Sequence, residues 1–128
     1  MSARMTADLC LNALDMAVMR QKPRASVIFH SDQGSQYASK VFRARLTELK
    51  MLQSMSRRGN CWDNAVAESL FNLLKTELVY QTKFATRSDA RIAIFQWIEA
   101  FYNRQRLHSA LGYKTPLAFE EEFMLNAA

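Results

Sequence analysis

The apolar residues in the first half of the chain predict helices that alternate with short strands. They recur at three- and four-residue intervals after Thr6, which predicts a first helix over residues 6–20 with Thr6 as its N-cap. The run "SVIFH" then predicts a buried strand over residues 27–30. A second helix over residues 39–50, capped by Ser39, precedes the apolar run "MLQSM", which predicts a second strand.

The second half of the chain predicts three more helices. A long helix follows the loop "SRRGNCWDN" and ends near residue 80, and Ser88 opens another that ends near residue 104. Thr115 and Pro116 have the residue types of an N-cap and a first helical residue, so a last helix begins there. This order of elements predicts an α/β fold. A typical domain has a sheet of about five or six strands, so the two predicted strands indicate an incomplete sheet.

Composition limits the classes of protein that this sequence can encode. The chain has 128 residues, of which 49% are hydrophobic, so it can form one globular domain with a core. No apolar run approaches the ~18 residues that a membrane span requires. Cys10 and Cys61 have no Cys or His at metal-ligand spacing, which excludes a structural zinc site. We therefore expect a soluble, cytoplasmic protein with no membrane partner.

The charge is distributed unevenly between the two halves of the chain. The net charge is +5, with +6 in residues 1–60 and −1 in residues 61–128. A basic first half suits a polyanionic partner such as DNA, because neutralised phosphates release counterions. Many soluble domains also carry a few excess positive charges. The charge alone leaves both alternatives open.

The long helix carries a polar face. Asn64, Glu68, Asn72 and Lys75 lie within an arc of about 80° at helical spacing, opposite the apolar Val66. Considered alone, such a face is typical of a solvated helix surface. Glu68 becomes a candidate site residue only if a second acidic residue accompanies it.

The motif "HSDQGSQY" places Asp32 directly after the first predicted strand. Asp32 and Gly34 are typical turn residues, with Asp32 accepting from nearby backbone N–H groups and Gly34 at positive φ. A carboxylate held at the end of a buried strand is also suited to binding a metal ion. The spacing within this motif favours the turn over the metal site.

Considered together, the two acidic residues and three longer motifs resemble a known family. Thirty-five residues separate Asp32 from Glu68, and Lys75 follows Glu68 by seven. This pattern, with "HSDQGSQY", "SRRGNCWDNAVAESLFNLLKTE" and "FYNRQRLHSALGYKTP", resembles the Asp–Asp–Glu transposases and retroviral-type integrases. It is most similar to bacterial insertion-sequence transposases that are made by frameshifting between two reading frames. The resemblance extends over residues 1–119.

The resemblance implies a ribonuclease-H-like integrase catalytic core that cleaves phosphodiesters and transfers DNA strands at insertion-sequence ends. In that family, three carboxylates hold two Mg²⁺ (or Mn²⁺) ions, because displacement at a phosphate requires charge neutralisation on both the attacking and leaving oxygens. Asp32 would be the second carboxylate and Glu68 the third. The expected partner is DNA, both the element ends and the target, and the expected location is the bacterial cytoplasm, at the nucleoid.

Other residues receive roles from the same resemblance. Lys75 would face the DNA end, and Asn64 would orient the site. Arg57 and Arg58, on the preceding loop, would meet the DNA backbone. Two residues that flank Asp32 would support it as a metal ligand: His30 and Gln33.

The sequence departs from the family at its start. The first carboxylate belongs on a strand that precedes the helix over residues 6–20, and no such strand is present. We therefore expect an N-terminally truncated core with the first strands of the sheet missing. Residues 1–128 would form one partial core, with residues 1–80 carrying the second Asp and the Glu and residues 81–128 forming a helical extension.

Three functions remain open at this stage. The first is a transposase fragment that is inactive alone and associates with itself or with intact transposase. The second is a noncatalytic nucleic-acid-binding or transposase-interacting remnant. The third, a ribonuclease-H-type hydrolase unrelated to transposition, leaves the motifs after Glu68 unexplained.

Overall fold

The computed structural model describes residues 1, 4–59 and 62–126. Its main elements are α1 (Ala7–Gln21), β1 (Ile28–Ser31), α2 (Lys40–Glu48), β2 (Leu52–Met55), α3 (Ala65–Leu74), α4 (Arg87–Gln96) and α5 (Pro116–Asn126). The chain divides into two compact units, Met1–Ser69 and Leu70–Ala128. Within the described ranges, no helix is both long enough and apolar enough to cross a membrane.

The first unit combines two helices with a parallel strand pair. β1 pairs with β2 in register, from Ile28 opposite Leu52 to Ser31 opposite Met55. The polypeptide between two parallel strands must cross over, and α2 forms that crossover here. The predicted helix–strand–helix–strand order of this half is confirmed.

The core of the first unit lies between the helices and one face of the strand pair. Leu14 of α1 packs with Phe42 and Leu46 of α2, and Phe42 is completely buried. The rings of Phe29 and Tyr37 lie with their centroids 5.2 and 5.4 Å from that of Phe42. Ser39 caps α2 as predicted, because its side chain accepts a hydrogen bond from the backbone N–H of Phe42.

The opposite face of β1 differs from the prediction of a buried strand. Phe29 is partly buried, whereas Ile28 is 64% exposed and its neighbour Leu52 is 56% exposed. Alternate strand residues point to opposite faces, and the core cluster contacts only the Phe29 side. The uninterrupted apolar run thus predicted a strand buried on both faces, whereas the structure buries only one face of β1.

The second unit is helical. α3 continues into a π-helical stretch, Lys75–Val79, and α4 continues into another, Trp97–Tyr102. Trp97 is buried against Phe101 and Tyr102, with ring centroids 6.1 and 5.2 Å away. The last helix begins as predicted, with the Thr115 hydroxyl accepting from the N–H of Ala118.

The start of α4 corrects the predicted cap. Thr86 caps this helix through a reciprocal pair of bonds with Asp89: the N–H of Asp89 donates to the Thr86 hydroxyl, and the N–H of Thr86 donates to the Asp89 carboxylate. Ser88 lies inside the first turn. Both residues are good N-caps in sequence, but only Thr86 has an acidic residue three positions later.

Candidate active site

A pocket of about 340 Å³ lies where β1 and β2 end. The carboxyl ends of parallel strands share one edge of a sheet, so residues distant in sequence meet there. Asp32 follows the last residue of β1, and Ser56 follows the last residue of β2. The pocket is lined by Asp32, Gln33, Ser56, Arg57, Arg58, Gly59, Asn64 and Glu68.

Asp32 forms a turn and also lines the pocket. Its Oδ1 accepts a hydrogen bond of 2.8 Å from the N–H of Gly34, as the turn interpretation predicted. The turn and the pocket are compatible, because this bond occupies one carboxylate oxygen and the side chain stays exposed. The turn at Asp32 is therefore confirmed, and its role as a metal ligand stays a prediction.

Gly34 is required for a reason that differs from the prediction. Its φ is not positive, unlike that of Gly59 and Gly112. A Cβ at Gly34 would instead lie 2.9 Å from Oδ1 of Asp32. The close approach of this carboxylate, rather than a left-handed backbone, explains the glycine.

Ser56 joins the ends of the two strands. Its backbone N–H and its hydroxyl both donate to the carbonyl of Ser31, at 2.8 and 3.2 Å, and both serines are buried. The side-chain amide of Gln33 donates to the carbonyl of Ser56 at 3.0 Å. These bonds hold the backbone around Asp32 against the end of β2, and the support of a metal ligand by Gln33 stays a prediction.

His30 contacts β2 and the residue after it. Its Nδ1 lies 2.9 Å from the hydroxyl of Ser54, and its Nε2 lies 3.4 Å from the hydroxyl of Ser56. His30 does not belong to the pocket lining. Its side chain therefore joins β1 to β2, two residues before Asp32.

Arg57 and Asp63 form a fork that closes the loop before α3. Arg57 donates from Nε to Oδ2 and from Nη2 to Oδ1 of Asp63, both at 3.0 Å, and its backbone N–H donates to Oδ2 at 2.9 Å. These hydrogen bonds lower the pKa of Asp63 from 3.8 to about 2, since they favour the carboxylate form. This ion pair was not predicted from the sequence. The pattern that could have indicated it is two residues of opposite charge on either side of Gly59.

The acidic partner of the fork lies in a short 3₁₀ turn. This turn, Trp62–Asn64, directly precedes α3, and within it the Asp63 carboxylate bonds with Arg57. Trp62, at its start, is 83% exposed.

Glu68 and Asn64 reach the pocket from the start of α3. Glu68 lies in the first turn of the helix, and its exposed carboxylate has no hydrogen bond or ion pair with another described residue. Two residues of the predicted polar face, Asn64 and Glu68, therefore line the pocket, whereas Asn72 and Lys75 do not belong to its lining, and Val66 is 88% exposed. Two carboxylates with 35 residues between them in sequence line one pocket.

The oxygen donors in this pocket suit a hard cation. Mg²⁺ is commonly held by one or two carboxylates, with water and substrate phosphate completing its shell. Asp32 and Glu68 offer that donor set, and the Asn64 side chain adds an amide oxygen. In the part of the chain that the structure describes, no three His, Cys, Asp or Glu side chains are grouped closely enough to hold a metal ion.

The three cationic side chains that were predicted to contact DNA lie in different environments. Arg58 lines the pocket and is exposed, without an ion pair among the described residues. Arg57 lines the pocket but is bonded to Asp63. Lys75 is exposed at the first position of the π-helical stretch in the second unit, and its role stays a prediction.

Family models and curated proteins match nearly the whole chain. Two models, each described as an integrase core domain, match residues 1–61 and 49–116. An uncharacterized 31 kDa protein of insertion element IS600 from Shigella sonnei is 45% identical over 100% of this chain and 47% of its own length. The transposase of IS904 from Lactococcus lactis is 42% identical over 94% of this chain and 48% of its own length. Transposase InsF of IS3A from Escherichia coli is 43% identical over 95% of this chain and 42% of its own length.

A solved structure supports the fold. A chain in the cryoEM structure of the simian T-cell lymphotropic virus intasome, in complex with PP2A regulatory subunit B56 gamma, matches with a TM-score of 0.66 and 19% identity. The match covers 84% of this chain and 37% of that chain. The α/β, ribonuclease-H-like fold implied by the motifs is thus confirmed, here with a short two-stranded sheet.

The chain spans about half the length of the curated relatives it matches. Asp32 falls in the first of the two overlapping family matches and Glu68 in the second. With its motifs, fold and relatives in agreement, the chain belongs to the integrase core domain family, among the insertion-sequence transposases of the retroviral integrase-like superfamily.

Proposed function

We propose that this chain is part of a transposase that cuts and joins DNA at the ends of an insertion sequence. The observation that carries the proposal is that Asp32 and Glu68 line one pocket at the ends of the two parallel strands. The reaction would be a metal-dependent cleavage of a phosphodiester followed by strand transfer. Two of the relatives are transposases by name, which supports the same reaction class.

Asp32 and Glu68 would hold Mg²⁺ or Mn²⁺ through carboxylate oxygens. A bound cation would neutralise charge on the attacked phosphate and activate water or a DNA 3′-hydroxyl. The turn at Gly34 fixes one oxygen of Asp32, and Gln33 and His30 fix the backbone on either side through Ser56 and Ser54. These contacts would hold the carboxylate in place before a cation arrives.

The cationic and amide side chains would contact DNA. Arg58 is exposed at the pocket and has the guanidinium geometry suited to a phosphate. Arg57 bonds to Asp63 through Nε and Nη2, so its Nη1 could still contact a phosphate, and Asn64 lies at the same pocket. Lys75 would meet the DNA end, as the family motif implies.

A noncatalytic role for the isolated chain is the second candidate. Two carboxylates line the pocket, whereas the family reaction uses three, and no larger acidic group occurs among the described residues. The chain alone would then bind a cation weakly and leave DNA uncut. It would act as a nucleic-acid-binding module, or associate with itself or with an intact transposase.

Metal binding and cleavage, measured on the same preparations, test both candidates. Calorimetric titration with Mn²⁺ should give weak binding that Asp32→Asn and Glu68→Gln each reduce, because each removes a carboxylate ligand. Equal Mn²⁺ binding by all three proteins would contradict the proposed metal site.

Cleavage assays should use a duplex that carries the end of a related insertion sequence, with Mg²⁺ or Mn²⁺. We expect the isolated chain to bind this DNA with a salt-dependent affinity and to leave it intact. Metal-dependent cleavage that Asp32→Ala abolishes would overturn the noncatalytic candidate. Cleavage of RNA–DNA hybrids without end specificity would instead favour a ribonuclease-H-type hydrolase.

A further inference from the structure

The loop between β2 and α3 is closed at its base by one ion pair. Arg57 lies two residues after β2, and Asp63 lies two residues before α3. Three hydrogen bonds join them, two from the guanidinium and one from the Arg57 backbone N–H, all between 2.9 and 3.0 Å. A carboxylate that accepts from a side-chain fork and a backbone donor at once has little rotational freedom.

The fork completes a chain of bonds between the two carboxylates of the pocket. Gln33, next to Asp32, donates to the carbonyl of Ser56, and Ser56 is bonded to the end of β1. Arg57 follows Ser56 directly and is bonded to Asp63. Asp63 is five residues before Glu68. Every connection from Asp32 to the start of α3 is therefore a hydrogen bond or a short piece of backbone.

We propose that Arg57 and Asp63 are a positioning pair that sets Glu68 against Asp32 and thereby sets the cation affinity of the pocket. This inference rests on the proposed function and assigns Arg57 a positioning role beside its proposed contact with DNA. Arg58, its neighbour, lines the same pocket without an ion pair among the described residues and would contact DNA alone. Of the two adjacent arginines, Arg57 would thus be the one that positions Glu68.

Electrostatics and positioning predict opposite effects of removing Arg57. A guanidinium beside a cation site repels the cation, so its loss alone should raise cation affinity. Loss of the fork releases the start of α3, which should lower that affinity. The pair is exposed on its Arg57 side, at 77%, so its loss should leave the fold intact.

The first test is the Mn²⁺ affinity of the 128-residue chain carrying Arg57→Gln. We expect a decrease of about tenfold, as is usual when a group that orients a metal ligand is lost. Arg58→Gln is the matched control, because it removes the same charge from the same pocket without touching the fork, and it should raise the affinity. An unchanged or increased affinity in Arg57→Gln would overturn the proposal.

A second variant separates geometry from charge. Arg57→Lys keeps the positive charge but cannot form the two-pronged bond with Asp63. Positioning predicts that Arg57→Lys also lowers Mn²⁺ affinity, whereas a purely electrostatic role predicts wild-type affinity. This variant also serves if Arg57→Gln fails to fold.

A crosslinking test reads the geometry without a metal ion. Asp32→Cys and Glu68→Cys are combined in a chain in which Cys10 and Cys61 are replaced by Ser, and the rate of reaction with a short bismaleimide is measured. Adding Arg57→Gln should slow intramolecular crosslinking, and adding Arg58→Gln should not. Equal rates would overturn the positioning role, even if the wild-type chain binds no Mn²⁺. Slower crosslinking without Mn²⁺ binding by the wild type would retain the positioning pair and reject the metal site.

Discussion

At the residue scale, the candidate site depends on small side chains and short polar contacts. Asp32 uses one oxygen for its turn and leaves the carboxylate at the pocket, and Gly34 makes room for that oxygen. Two residues singled out from the motif around Asp32, Asp32 itself and Gln33, line the pocket. The motif could not show why Gly34 is a glycine, because the reason is a contact with a side chain rather than a backbone angle.

Gly34→Ala should displace Asp32 with little effect on the fold. The new Cβ would meet Oδ1 of Asp32 at 2.9 Å, and a carboxylate end can rotate away. Mn²⁺ affinity should then fall by about tenfold, because a ligand loses its fixed orientation. Calorimetry and a thermal melt measure the two effects, with the exposed Ser35→Ala as the control. A large fall in melting temperature with unchanged Mn²⁺ affinity would contradict this account of Gly34.

Asp63 should remain ionised down to strongly acidic pH. Its pKa in the folded chain is about 2, below the unfolded value of 3.8, because Arg57 hydrogen-bonds to the carboxylate. The fork therefore contributes stability above about pH 4 and loses it as pH falls through 2. The carboxyl carbon of Asp63, followed by NMR, should titrate near 2 in the wild type and closer to 4 in Arg57→Gln. A wild-type midpoint near 4 would show that the fork is absent in solution.

At the element scale, the hydrophobic periodicity predicted where the helices lie but not which contacts the helices, strands and loops make. Residues 6–20 and 39–50 were predicted as helices, and the structure places α1 and α2 within one or two residues of these bounds at most ends. The apolar run at β1 indicated a strand but not that only one face is covered. The Arg57–Asp63 fork could not be predicted from the sequence either, because two loop residues six positions apart have no fixed distance in space.

The cap of α4 gives a direct comparison of two residues with the same sequence propensity. Thr86→Ala removes the hydroxyl that accepts from Asp89, so urea denaturation should show a loss of about 1 kcal/mol. Ser88→Ala, two positions later, should change the free energy of unfolding by less than about 0.5 kcal/mol. The reverse order of effects would assign the cap to Ser88.

At the scale of the whole molecule, the exposed apolar surface is extensive for so short a chain. Ile28 and Leu52, which pair across the two strands, are both mostly exposed, and further apolar side chains are exposed on the helices. A strand pair that is open along its face and edges is a ready surface for another strand or chain. The first unit therefore has a surface suited to the association proposed above.

We expect the isolated chain to self-associate through the open face of its strands. Sedimentation velocity at increasing concentration should show oligomers, and Ile28→Lys should shift the distribution towards monomer because it places a charge on that face. Val41→Lys on α2, also an exposed apolar position, is the control and should leave the distribution unchanged. A monomer at all concentrations would contradict self-association through this face.

The closed loop before α3 has a consequence for insertions into the chain. A residue added between Arg57 and Asp63 lengthens the loop but leaves both partners of the fork in the chain, so the fork can still form. A residue added between Asn64 and Glu68 advances the helix by about 100° and turns Glu68 away from the pocket. The fork thus restricts the length of this loop less strictly than the position of Glu68 restricts the helical phase from Asp63 onwards.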